Sequence, residues 1–170
     1  SMAAPAFPAA DTVSSATPLA AEKMPDLLTL LLGTHGGAIG ETCAIALIAG
    51  GVYLLIRRVI IWQIPVLYIA TVFVFSFFME GFSVVAALSQ VLAGGLMIGA
   101  IFMATDYVTS PPTPWGKAIF GIGCGVMTCI IRYFGSYPEG VSFAILFMNI
   151  LTPYISIWTR HKVFGVGGAK

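Results

Sequence analysis

The run Asp11-Thr-Val-Ser-Ser-Ala-Thr17-Pro puts hydroxyl groups at Thr12, Ser14, Ser15 and Thr17 just ahead of the first oily stretch of the chain. A hydroxyl is a weak nucleophile unless a base sits beside it. Nothing near Thr17 in sequence supplies one, so chemistry at this run has to be done to it by another enzyme. The acids suggest different chemistry. Glu41 precedes a long apolar segment, Asp106 follows one, and Glu139 lies in Tyr-Pro-Glu-Gly before another. Carboxylates inside or at the edge of a membrane are costly and mark ion or proton paths. A helix N-terminus favours an acid, which suits Glu41 and Glu139 structurally. Asp106 falls at a C-terminal end, where the dipole opposes it, and so has the stronger claim to function.

Other motifs carry less. His35-Gly36-Gly37 is similar to an esterase oxyanion loop, but no Gly-x-Ser-x-Gly elbow partners it. Cys43, Cys124 and Cys129 lie in apolar runs without a Cys-x-x-Cys pair, which reads as buried small hydrophobes and not as a metal site. No catalytic residue and no metal ligand set is expected. Gly95 and Gly99, and Gly121 and Gly125, form Gly-x-x-x-Gly pairs that let helices approach closely.

The elements that position these residues follow from composition. Of 170 residues, 58% are hydrophobic and 9% charged, against about a quarter charged in a soluble domain. Mean hydropathy is +0.96. The bilayer must therefore solvate much of the chain. A net charge of +1, with eight Lys and Arg spread along the length, excludes a basic nucleic-acid face. Ser1-Met2 reads as a scar of tag removal, with no signal peptide behind it and an upstream half expected.

Residues 1–37 form a Pro-, Ala- and Ser-rich lead, residues 38–160 a transmembrane domain, and residues 161–170 a short tail. Five apolar segments are predicted as helices: Ile39–Ile56, Ile64–Met79, Val84–Thr105, Ala118–Phe134 and Val141–Trp158. Helices are the economical answer, because unpaired strand amides do not survive in lipid. The fold class is all-α membrane protein with five transmembrane helices, and an odd span count suits one half of an inverted-repeat fold. Arg57, Arg58, Lys117, Arg160, Lys162 and Lys170 fall on one side, against Lys23 and Arg132 on the other. The positive-inside rule puts the C-terminus in the cytoplasm and residues 1–37 outside.

Asp11–Thr17 resembles the flavinylation motif D-x-x-S/T-G-A-S/T of the NqrB/RnfD family of membrane proteins. Ser15 stands where that family favours Gly. The stretches GTHGGAIGETCAIALIAGGVYLLIRR, FMATDYVTSPPTPWGK, IRYFGSYPEGVSFAILFMN and the RHKVFG tail resemble, in order, the C-terminal half of RnfD-type proteins. Tyr107 departs from the family's usual Asp-Pro, and Ser156 stands where the family often has an acid.

The resemblance implies a subunit of a redox-driven ion pump in the bacterial cytoplasmic membrane, passing electrons between ferredoxin and NAD while Na⁺ or H⁺ crosses. It implies FMN joined through its phosphate to Thr17, with Ser14, Ser15 and Ala16 read by a flavin transferase, and leaves room for a second, non-covalent flavin. Other Rnf subunits and the lipid bilayer are the implied partners, and a urea-transporter-like inverted repeat is the implied fold. Glu41, Asp106 and Glu139 are the candidate stepping ligands for the ion. An NqrB-type subunit of a sodium-pumping NADH:quinone reductase and a non-redox solute channel are the alternatives. A reporter fused after Lys170 is expected to be active only as a cytoplasmic reporter. A periplasmic signal there reverses the orientation.

Overall fold

The computed structural model describes residue 31, residues 44–135 and residues 140–159. All regular structure among them is helical. Helix α1 is Ala44–Ile56 and α2 is Gln63–Met79. Helix α3 is Val84–Leu92, and α4, Leu96–Met103, follows it at an angle of 68°. Helix α5 is Pro114–Phe134 and α6 is Val141–Trp158.

Among the described residues, only α5 and α6 are long and apolar enough to cross a bilayer by themselves, and the bent pair α3–α4 makes a third candidate. Their 21 and 18 residues rise about 31 and 27 Å at 1.5 Å each. Helix α2, with 17 residues, rises about 25 Å and falls short of the ~30 Å hydrocarbon thickness.

The expectation of one continuous third span over Val84–Thr105 is corrected by the break at Ala93–Gly95. Ala93 is extended (φ −84°, ψ 144°) and Gly94 takes φ +68°, a left-handed conformation that glycine reaches without strain. The second half then includes a π-turn at Gly99–Met103. Such wide turns concentrate at functional sites and distort the helix locally. The distortion here accompanies very close packing. A Cβ on Gly99 would lie 2.3 Å from Val141 Cγ1.

Local signals explain the other helix starts. Thr113 caps α5, its Oγ1 accepting from Gly116 N–H at 3.1 Å, with Pro114 opening the helix. Ser83 caps α3 in the same way through Ala86 N–H at 3.3 Å. Between α2 and α3 the chain reverses through Gly81 (φ +66°) and Phe82 (φ +65°). Left-handed Phe costs about 1–3 kcal/mol. Edge-on ring contacts of Phe82 with Phe77 and Phe78, at 5.3 and 5.6 Å, offset it.

Helices α2 and α5 form the central pair, and α6 packs on the other side of α5. The expected glycine packing holds for Gly121 and Gly125. Cβ atoms on Gly121 and Gly125 would meet Ile64 O at 3.0 Å and Thr71 Cβ at 2.6 Å, so α5 lies backbone-close to α2. Tyr68 and Phe120 are the largest fully buried side chains there. Thr128 donates to Cys124 O at 2.8 Å, which leaves Tyr68 to donate its hydroxyl to Thr128 Oγ1 at 2.6 Å. Cys124 and Cys129 are buried free thiols, as their apolar settings imply. Gly125→Val should overpack this contact by about 1–3 kcal/mol. The full-length protein in detergent should then show a clearly lower thermal midpoint, and an unchanged midpoint would mean that α2 and α5 are not so close.

Candidate functional site

The bundle has two distinct ends. Because α2 and α5 run parallel and α6 returns, one end gathers the α2–α3 turn, the α5 C-terminus and the start of α6. The other gathers the α1–α2 loop, the segment between α4 and α5, and the end of α6. At that second end Thr113 and Thr159 hydroxyls bond at 2.5 Å, and Tyr107 donates its hydroxyl to Val59 O. Arg57, Arg58 and Lys117 are therefore at one end and Arg132 is at the other, the same grouping that the sequence implies.

The densest polar constellation lies at the Arg132 end, around the break between α3 and α4. A helix that stops against packed neighbours leaves carbonyls without amide donors, and Ala93 at this stop is shielded from water. Arg132, in the last turn of α5, fills this need. Its Nη1 donates to Gln90 O at 2.7 Å and its Nη2 to Ala93 O at 3.3 Å. Planar guanidinium suits two carbonyls at once, and its charge opposes the negative end of the α3 dipole.

Glu80 stands beside this arrangement. As the residue that ends α2, it is half-buried, and its Oε1 accepts from Gln90 Nε2 at 3.3 Å and from Tyr133 OH at 3.2 Å. Gln90 thus links the two parts, with its backbone oxygen on Arg132 and its side chain on Glu80. Leu31, the described residue of the lead, packs against Ala44, Leu92 and Ala93. The lead therefore meets the bundle at the break.

Among the sequence-derived candidates, Thr17, Ser14, Ser15, Ala16, Glu41 and Glu139 lie outside the described residues. Asp106 is described, and it lies at the opposite end from Glu80 and Arg132. It is exposed in the turn after α4, with Oδ1 accepting from Val108 N–H and Oδ2 from Thr109 Oγ1, both at 3.4 Å. Its carboxylate organises its own turn. Sequence reasoning missed Glu80, Gln90 and Tyr133. The available signal was Glu80-Gly81 directly after a span too short to cross, next to Ala93-Gly94-Gly95.

Further polar groups lie within the spans. Pro153 has no N–H for the carbonyl of Asn149 four residues earlier, and Asn149 Oδ1 is buried with no hydrogen-bond partner among the described residues. No group of three or more His, Cys, Asp or Glu that could hold a metal occurs among the described residues. The arrangement can stabilise a broken helix, and it presents a carboxylate, an amide and a phenol together at one end of the bundle.

The model of the NQR2, RnfD, RnfE family matches residues 1–165. The chain is 45% identical over 96% of its length to the D component of the Na⁺-translocating ferredoxin:NAD⁺ oxidoreductase complex of Acetobacterium woodii, covering 53% of that protein. It is 42% identical over 91% of its length to the D component of the proton-translocating ferredoxin:NAD⁺ oxidoreductase complex of Clostridium ljungdahlii, covering 52%. It is 47% identical over 71% of its length to the D component of an ion-translocating oxidoreductase complex of Haemophilus influenzae, covering 34%. The chain thus spans about half the length, or less, of these relatives.

Arg132→Gln should leave the Gln90 and Ala93 carbonyls without their charged donor, a loss of about 1.5–3 kcal/mol per bond at most. Thermal unfolding of the full-length protein should shift down, and Arg132→Lys should recover only part of the loss because an ammonium lacks the fork. Equal stability of all three would remove Arg132 from its place at the break.

Proposed function

The chain belongs to the NQR2, RnfD, RnfE family, and from that premise we propose that it is the flavin-carrying membrane subunit of an Rnf-type redox-driven ion pump. The observation that carries this reading is that the family match begins at residue 1 and takes in Asp11–Thr17 with the bundle. The relatives described above are all D components of such complexes, which favours the Rnf branch over the NqrB branch of the same family. The reaction class is electron transfer between ferredoxin and NAD, carried out by the assembled complex of Rnf subunits in the bacterial cytoplasmic membrane.

Thr17 is the attachment point in this proposal, esterified to FMN phosphate by a flavin transferase that reads Ser14, Ser15 and Ala16. FMN supplies one- and two-electron redox chemistry, so it can join one-electron centres to a two-electron carrier. The chain's own part is to position the lead. Leu31, downstream of Thr17, seats against Leu92 and Ala93, which keeps the lead rooted at the end that carries Arg132 and Glu80. A fixed guanidinium there favours a negatively charged group on the lead, and the half-buried Glu80 offers an oxygen to a cation. Asp106 is the matching carboxylate at the opposite end, where the Lys and Arg bias puts the cytoplasm. Glu41 and Glu139 complete the candidate path.

Relatives of nearly equal similarity are named for Na⁺ and for protons, so similarity does not assign the ion. A bundle with a broken span is a common device for ion passage, and it fits one repeat of an inverted pair whose other half lies in the rest of the longer relatives.

Expressed with its flavin transferase, the full-length protein should give a fluorescent band on a denaturing gel and a mass increased by one FMN. Thr17→Ala should abolish both while the protein remains in the membrane. Ser15→Gly should label at least as well as wild type. A dark wild-type band with the transferase present would remove the flavin assignment.

A further inference from the structure

The end that carries Arg57, Arg58 and Lys117 has a cavity that the redox reading does not use. It has a volume of about 180 Å³ and lies between the α1–α2 loop, the end of α4 and the start of α5. Its walls include Ile61, Ile64, Thr105, Tyr107, Ser110 and Lys117. Lys117 is the charged residue of this lining, and its position is unfavourable for the helix. Thr113 caps α5, so Lys117 sits one turn in, at the positive end of the dipole, where cations are disfavoured. Helix stability does not account for it.

The neighbouring charges do not account for it either. Asp106 is the acid of this end among the described residues, and both its oxygens are turned onto Val108 N–H and Thr109 Oγ1. No carboxylate pairs with Lys117 among the described residues. The hydroxyls of Thr105 and Tyr107 already donate, to Ile101 O and Val59 O. Among the described residues Ser110 Oγ has no hydrogen-bond partner. The cavity therefore offers an ammonium and a free hydroxyl, both donors, and so suits an anion with several oxygens.

The surroundings indicate where that anion comes from. Trp62, Trp115 and Trp158 are all the tryptophans of the chain, and all three are exposed at this end. Exposed tryptophans of a membrane protein sit at headgroup depth. Exposed Arg57 and Arg58 follow α1 directly at the same end. Basic pockets between helices at such an interface bind anionic lipid headgroups.

We propose that this cavity is a binding site for the phosphate of an anionic phospholipid, with Lys117 supplying the charge and Ser110 a hydrogen bond. The acyl chains then run along the exposed apolar surface of the bundle. The site stands apart from flavin attachment and from the Glu80 constellation at the other end.

The test uses the full-length protein in its complex, reconstituted into bilayer discs containing equal phosphatidylglycerol and phosphatidylcholine, then washed with detergent. Retained lipid is counted by mass spectrometry. Wild type should retain phosphatidylglycerol over phosphatidylcholine. Lys117→Gln should retain about fivefold less of it, the effect of one basic residue near an anionic surface. Lys117→Arg should retain it nearly as wild type does, and all three should unfold at similar temperatures and carry equal flavin fluorescence. Equal phosphatidylglycerol retention by wild type and Lys117→Gln would overturn the proposal. Displacement of phosphatidylglycerol by millimolar inorganic phosphate would also overturn it, by making free phosphate the ligand.

Discussion

In a bilayer every backbone polar group must find its partner within the protein, because lipid offers none. This constraint fixes what a broken span requires. Helix α3 ends at Leu92, inside the apolar part of the sequence, and Gly94 turns the chain by the left-handed route. The carbonyls left at that end have to be satisfied by a side chain from another helix. Arg132 of α5 does this from 39 and 42 residues away. The rest of the local design follows from that reach. The α5 helix must run close to α2 and end near the break, and Gly121 and Gly125 provide the close approach.

The same economy shows in the centre of the bundle. Tyr68, Thr128 and Cys124 O form one chain of hydrogen bonds in which each hydroxyl has a defined role. Interhelical bonds of this kind contribute only about 0.6 kcal/mol on average, because an unfolded helix in the membrane finds other partners. Their larger effect is on register. A one-residue slide of α5 on α2 would separate Tyr68 from Thr128 and drive Thr71 into the Cβ position of a neighbouring residue instead of that of Gly125. Small residues set the distance between the helices, and the hydroxyl pair sets the offset.

Much of this is legible in the sequence, and what is not has a physical reason. The last segment, Val141–Trp158, coincides with α6. Helix α5 begins four residues ahead of its apolar segment, because Thr113-Pro114 is a capping signal that hydropathy alone ignores. The glycine pairs read as packing, and Gly121 and Gly125 pack against α2. The break is hidden because Ala93-Gly94-Gly95 is as apolar as its flanks, so a hydropathy window runs through it. Pairing Gly95 with Gly99 draws attention away from Gly94 beside it. Glu80 looks like a loop acid. Its partners lie 10 and 53 residues away and no periodicity connects them. The hydroxyl run at Asp11–Thr17 is the opposite case. It lies outside the described residues, and the chemistry proposed for it rests on resemblance, since no residue beside it in sequence would activate a hydroxyl.

The position of Arg132 also bears on the proposed ion passage. Broken helices in transporters direct carbonyls and helix C-terminal ends at a mobile cation. Here a covalently held cation already occupies that place. Two carbonyls of the break are taken by Arg132, and its charge repels another cation from the α3 end. On the path proposed above, an ion would pass beside the break, where Glu80 presents an oxygen, or displace the guanidinium. Displacement would expose two carbonyls and a charge to an apolar setting together, each loss reinforcing the other. A path beside the break needs no such step, and it gives Arg132 a second consequence. The guanidinium fixes Gln90 through its backbone, and Gln90 fixes Glu80 through its side chain. The same residue that closes the broken helix therefore holds the nearest carboxylate in place, so the stability of the break and the position of Glu80 are set by one side chain.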